Sequence, residues 1–455
     1  MTKRFLSYPA HAKAVVFLGV PLIGGHLGQV AIGLTDTVML GWYGVEALAA
    51  GTLAHSVFFV LFLMGSGFAW AVMPMVAAAH AEEDDTSIRR AARMGLWLSM
   101  AFGLCAMPLL WWSHPILLAL GQDPEVAAPA ADYLRVAGWG IFPALGVMVM
   151  KSYLAALERT QIVFWITLVA ALINGIANYA LIFGNWGAPE LGIMGAALAS
   201  VITQIVMLIG VILYAVRVLP QYQLFVRLWK PDWDMMGQVF RLGLPIGLTS
   251  LSEVGLFAAS AFMMGWLGKI ALAAHGIALN LASITFMVHL GLANVATIRA
   301  GNALGRRDLD DLKRGARVVI ALSIAMALMT IAVFVLLPEP LIAVFILENE
   351  PARAEIVVLG VVLLFLAALF QLVDGAQAVA LGLLRGVKDT AVPAVLAAFS
   401  YWGVGIPASY ILGFVLDYGA AGIWMGLVLG LFCASVLLMA RFWSGSVQRM
   451  VNETA

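Results

Sequence analysis

The sequence predicts an all-α integral membrane protein of twelve transmembrane helices in two six-helix repeats. Three observations predict it. Of the 455 residues, 63% are hydrophobic and only 11% charged, whereas soluble domains run near half apolar and about a quarter charged. The apolar residues collect in twelve runs, each long enough to supply the ~20 residues that cross a bilayer. And position n aligns with position n+224 without a gap from Pro21 to Met100, with 22 of the 80 pairs identical.

The runs lie near 14–40, 46–79, 90–112, 127–150, 162–184, 191–216, 238–264, 270–300, 315–337, 353–384, 391–416 and 420–441. The first is too long for the apolar core of a signal peptide and reads as a membrane span. Runs longer than the bilayer needs imply tilt or extension beyond it. The basic residues set the orientation, because Lys and Arg concentrate in cytoplasmic loops. With both termini inside, 22 of the 25 Lys and Arg fall on the inner side, from Lys3 and Arg4 to Arg449. Lys269 and Arg353 fall outside, and Arg135 lies within a span. A miscount by one span would scramble this alternation. The expected location is the cell (inner) membrane, multi-pass, with both termini cytoplasmic.

The repeat justifies the domain organisation. Gly41-Trp42-Tyr43-Gly44 with Ala47-Leu48-Ala49-Ala50 matches Gly265-Trp266-Leu267-Gly268 with Ala271-Leu272-Ala273-Ala274. Pro21 matches Pro245, Asp84 matches Asp308, and Arg90 and Arg93 match Arg314 and Arg317. With small gaps, Gly192-Ile193 pairs with Gly422-Ile423. The expected lobes are 1–216 and 238–455, joined by a basic cytoplasmic linker at 217–237. Six is even, so both halves enter from one side and are related by a pseudo-two-fold axis along the membrane normal. Duplicated halves fit alternating access, with substrate held where they meet.

The ionisable residues inside the spans come next, since an acid at a helix centre costs ~2.5–3.5 kcal/mol on insertion scales and marks function. Asp36 lies in span 1, Glu253 in span 7 and Asp374 in span 10. Glu253 is 12 residues beyond Arg241 and Asp374 is 11 before Arg385, about 18 and 16 Å at the helical rise. Both acids therefore sit near mid-depth of the second half, as does Asn280 of span 8. Two carboxylates and an amide at one depth can hold a proton, a Na⁺ or a cationic ligand; the alternative is that each acid makes a separate structural hydrogen bond. Asn174 and Asn178, spaced i, i+4 on span 5, share one helix face in the outer half with Asp36. Interhelical amide packing accounts for such Asn residues without function. Against packing alone, the repeat partners of Glu253 and Asp36 are Gln29 and Ser260, so the shared fold does not require the acids.

Other features point to no chemistry. Cys105 and Cys433 sit in apolar runs as inert thiols. His26, His55, His275 and His289 read as core or cavity residues. Glu82-Glu83-Asp84-Asp85 lies beside arginines and has no aspartate-rich partner motif, so a solvated loop is expected there, not a Mg²⁺–diphosphate site. No phosphate-binding loop, Ser-His-Asp arrangement or zinc-ligand spacing is present, and no enzymatic activity is expected. A zero formal net charge points to no nucleic-acid partner.

Taken together, the sequence resembles the multidrug and toxic compound extrusion (MATE) family, within it the NorM-like branch. The resemblance rests on Pro21 with Thr35-Asp36-Thr37-Val38-Met39 and Gly41, and on Asn174 to Asn178-Tyr179. In the second half it rests on Pro245 with Glu253, Gly301-Asn302-Ala303-Leu304-Gly305, Phe370-Gln371-Leu372-Val373-Asp374-Gly375-Ala376-Gln377, Gly382-Leu383-Leu384-Arg385-Gly386 with Asp389-Thr390, and Gly405-Ile406-Pro407. It implies export of cationic, aromatic, amphipathic compounds by antiport with H⁺ or Na⁺. It implies an N-lobe site of Asp36, Asn174 and Asn178, and a C-lobe cation site of Glu253, Asp374 and Asn280, these last three being metal ligands only if Na⁺ is the coupling ion. No cofactor is implied; the partners are small-molecule drugs, toxic organic cations and the lipid bilayer, and a monomer is expected. Ala77-Ala78-Ala79-His80-Ala81 departs from the glycine-containing pattern after span 2 and leaves that loop's geometry open. The alternative function is a flippase for lipid or polyprenyl-linked precursors, which would need a basic central cavity.

Overall fold

The computed structural model describes residues 7–346, 348 and 350–448. Lys3, Arg4 and Arg449, counted in the basic alternation, lie outside the described residues. Among those described, every regular element is helical, and twelve helices are long and apolar enough to cross a membrane. They are α1 (Tyr8–Tyr43), α2 (Val45–Ala81), α3 (Asp85–Trp111), α4 (Pro124–Ala156), α5 (Thr160–Phe183), α6 (Ile193–Val218), α7 (Trp233–Leu267), α8 (Lys269–Gly305), α9 (Leu309–Leu336), α10 (Arg353–Gly386), α11 (Ala391–Val415) and α12 (Gly419–Ser446). Two short helices, Ser113–Ala119 and Pro338–Ala343, precede α4 and α10.

The repeat has a structural cause at its polar positions. Asp84 accepts a hydrogen bond from the Ser87 backbone N–H at 3.0 Å and caps α3; Asp308 accepts from Asp311 N–H at 3.0 Å and caps α9. Each satisfies a donor the helix start leaves unpaired. The residues before these caps, Glu83 and Arg307, both turn left-handed at φ 59° and 52°. The turns after α2 and α8 are closed by matching bonds, Asp84 N–H to Ala79 O at 2.9 Å and Asp308 N–H to Ala303 O at 3.0 Å. The Ala77–Ala81 stretch, despite lacking the glycine, therefore makes the same turn as its copy. Asp84 acts as a helix cap within the acidic run.

Two compact units emerge from the packing. One is Val20–Gly247, and the other is Leu248 onward together with the chain up to Gly19. The divisions fall beside Pro21 in α1 and Pro245 in α7, so the packing units depart from the repeat boundaries. In the first unit, Leu110, Leu134, Ile141 and Leu145 are fully buried at the centre of an apolar core drawn from α2, α3, α4 and α6. The 217–237 segment lies against α3. Arg93 donates to the carbonyls of Val226 and Lys230 at 3.1 and 3.0 Å, and Trp97 donates to Leu228 O at 2.8 Å. Asp232 receives both the Nε and Nη2 of Arg90 and accepts from Met235 N–H at 3.1 Å, capping α7.

In the second unit small residues set the helix separations, as they do where packing replaces hydrophobic drive. A Cβ on Gly382 of α10 would stand 2.3 Å from the Ala293 carbonyl of α8. Thr297 takes advantage of this approach and donates to Gly382 O at 2.9 Å. In α11 the backbone widens into π-helical turns at Phe399–Gly405, just before Pro407. Proline lacks the N–H an α-turn would use there, and such turns recur at functional positions.

Candidate functional site

Each unit holds a cluster built on the intramembrane acids. In the unit Val20–Gly247, Asp36 of α1 faces α5 and α6. Asn178 donates to Asp36 Oδ1 at 2.5 Å and Ser200 donates to Asp36 Oδ2 at 3.1 Å. The i, i+4 pair on α5 is closed by Asn178 Nδ2 to Asn174 Oδ1 at 3.2 Å. Both asparagines are fully buried. Asn178 Oδ1 has no partner among the described residues, and Asn174 stands within hydrogen-bonding reach of Asp36 as well. His55 of α2 and Tyr133 of α4 are the titratable groups within electrostatic reach of Asp36. The packing that allows this is local: Cβ atoms on Gly24 and Gly28 of α1 would meet Phe164 at 2.7 Å and Thr167 at 3.1 Å on α5.

In the other unit, Glu253 of α7 and Asp374 of α10 lie within electrostatic reach of each other. Gln377 donates to Glu253 Oε1 at 3.0 Å and accepts from the Tyr401 hydroxyl at 2.8 Å. This chain, Tyr401 to Gln377 to Glu253, is oriented by the phenol: with its oxygen accepting from Tyr401, the Gln377 amide has only N–H to offer the carboxylate. Tyr401 lies in the π-helical stretch of α11. Asp374 is 2% exposed, and its Oδ1 has no partner among the described residues. A buried acceptor of that kind takes a proton, a cation or a water. Two carboxylates with the Tyr401 hydroxyl oxygen nearby, and Arg385 within electrostatic reach of Glu253, form an oxygen set that can take H⁺, Na⁺ or an organic cation.

Asn280 stands apart. Its side chain is exposed and donates to Gly276 O of its own helix at 2.9 Å. In this structure it is bonded along α8 and not to either acid. Ser200, Gln377 and Tyr401 were not anticipated. Gln377 had a signal, one helical turn after Asp374; a lone serine in an apolar helix and a tyrosine in span 11 had none.

The MatE family pattern matches residues 21–180 and 245–411, starting at the paired prolines. The chain belongs to the MatE family. It is 46% identical over 439 residues to the probable multidrug resistance protein NorM of Rhizobium meliloti (strain 1021), covering 96% of this chain and 94% of that one. To the protein of the same description from Pseudomonas aeruginosa it is 37% identical, covering 97% and 91%. Among solved structures, the eukaryotic MATE transporter AtDTX14 superposes with a TM-score of 0.84 at 18% identity, covering 98% and 100% of the two chains. A MOP superfamily transporter from Pyrococcus furiosus superposes at 0.85 with 20% identity, covering 98% and 97%. These last two establish the fold. Family membership makes the protein a multi-pass membrane transporter.

Proposed function

We propose that this protein is a secondary active multidrug exporter, moving cationic, aromatic, amphipathic compounds out of the cell by antiport with H⁺ or Na⁺. The observation that carries this reading is the pair of clusters built on intramembrane acids, one in each packing unit, with Asp374 Oδ1 unpartnered among the described residues. The naming of relatives as multidrug resistance proteins supports it. The ion and the drug compete: a cation loaded from outside neutralises the acids and weakens drug binding, and its release inside restores them. Asp36, Asn174 and Asn178 form the N-lobe site. Glu253 and Asp374 form the C-lobe site, which Asn280 joins only if α8 turns it inward. The six-helix halves 1–216 and 238–455 alternate about the 217–237 connection, with both termini cytoplasmic, in the inner membrane, as a monomer. No cofactor takes part. A flippase for lipid-linked phosphates calls for a basic central cavity, whereas both clusters are built on acids, with the single Arg385 within electrostatic reach of Glu253. The test is ethidium efflux from energised vesicles with Na⁺ and pH gradients imposed separately. Export driven by either gradient supports the reading, and indifference to both overturns it.

A further inference from the structure

The inner part of the first cluster's helix face carries a group the mechanism above does not use. Lys151, near the end of α4, is half-buried and donates from Nζ to Gln29 Oε1 of α1 at 3.0 Å. His26 lies one turn below Gln29, within electrostatic reach of the same ammonium. Gln29 and Asp36 are seven residues apart, so they share one face of α1, about 10 Å apart along its axis. Gly33 lies between them on that face, and a Cβ there would meet nothing within 4 Å. The face thus presents an acid and an ammonium about two turns apart, with open space beside the helix between them.

We propose that Lys151, held by Gln29, is an anion-recognising subsite. It would let this transporter select amphipathic zwitterions whose ammonium pairs with Asp36 and whose carboxylate, about 10 Å away, pairs with Lys151. The inference rests on the export reading for its setting, but concerns binding alone. A lipid headgroup carries the same oxyanion chemistry. The small-molecule carboxylate is favoured because Lys151 turns its ammonium to an amide on α1, in line with Asp36.

The test uses 4′-(aminomethyl)biphenyl-4-carboxylate, its methyl ester, and the one-ring analogue 4-(aminomethyl)benzoate. Calorimetric titration of the purified full-length protein is done in nanodiscs of phosphatidylcholine with and without phosphatidylglycerol. Wild type prefers the biphenyl acid over its ester. In Lys151→Gln the acid-to-ester affinity ratio falls at least about tenfold, the loss of one charge-assisted bond; Lys151→Arg restores it, and the one-ring analogue has no such dependence. Equal losses for acid and ester in Lys151→Gln overturn the proposal. So does displacement of the acid by phosphatidylglycerol in wild type but not in Lys151→Gln, which assigns the ammonium to a headgroup. Ethidium efflux is measured in parallel. Its absence in a wild type that shows the acid preference refutes export and leaves the subsite standing.

Discussion

Asn178 and Ser200 each donate to a different oxygen of Asp36, so the carboxylate is held in one orientation from two helices. Replacing Asp36 with Asn keeps the size and removes the charge those donors serve. Charge-assisted bonds contribute about 1.5–3 kcal/mol, so Asp36→Asn is expected to weaken cationic drug binding by roughly 10- to 100-fold. Export should fall accordingly in protein that expresses and melts normally. Wild-type efflux from well-expressed Asp36→Asn would leave the cluster a packing device. Tyr401→Phe tests the second cluster. It strips the donor from the buried Gln377 oxygen and should lower stability by about 1–3 kcal/mol, read as a drop in melting temperature in detergent. An unchanged melt would mean that the phenol does not orient Gln377. At this scale the acids and the α5 asparagines were legible because charge and amides are rare in apolar runs. Ser200 and Tyr401 were not, because their residue types are ordinary in membrane helices and only the fold reveals what they touch. Asn280 was chosen by its depth along the span, and depth does not fix a helix's rotation.

Elements were legible to the extent that hydrophobic length and helix caps determine them. Span 1 was expected at 14–40 and the helix runs Tyr8–Tyr43, because polar residues extend a helix past its apolar run. The linker was read as basic and cytoplasmic from its charge alone; that Arg90, Arg93 and Trp97 fasten it to α3 was not legible, because tertiary hydrogen bonds of this kind leave no periodic signal. The Arg90 hydrogen bond holds the Asp232 carboxyl below the usual carboxylate range, against opposing burial. A folded-state pKa lowered from an unfolded value near 3.9 adds stability that is present above about pH 4 and is lost as pH falls through the folded pKa. The pair is partly exposed, so Asp232→Asn should cost under about 1 kcal/mol. The gap in melting temperature between wild type and Asp232→Asn should stay constant from about pH 5 to 8 and close below about pH 4. A gap that widened in acid would contradict the assignment. For α8 against α10, Gly382→Leu forces a side chain into the Ala293 carbonyl and should cost upwards of ~1–3 kcal/mol, seen as a lowered melt or lost expression.

At the scale of the molecule, the duplication is read from Trp, Pro and Arg in register, and the two MatE matches, 21–180 and 245–411, begin at the same paired prolines. The packing units were not legible, because which residues of α1 and α7 pack together depends on contacts far apart in sequence. The orientation proposed from the basic alternation is tested at Arg227: a single cysteine there should react only with reagent on the cytoplasmic side, and reaction from the other side alone would overturn it. A membrane potential of ~150 mV is worth ~3.5 kcal/mol per charge moved, a few-hundred-fold gradient, enough to drive export with one net charge per cycle. The central claim is that Glu253 and Asp374 act as one cation site. The most direct measurement is a double-mutant cycle on ion-driven ethidium efflux, comparing Glu253→Gln, Asp374→Asn and the double mutant in energised vesicles. If the acids share one cation, each single mutant loses ion-coupled efflux and the double mutant is little worse than either. Losses that add in the double mutant, with ion competition unchanged in each single mutant, would mean two separate sites and contradict the account.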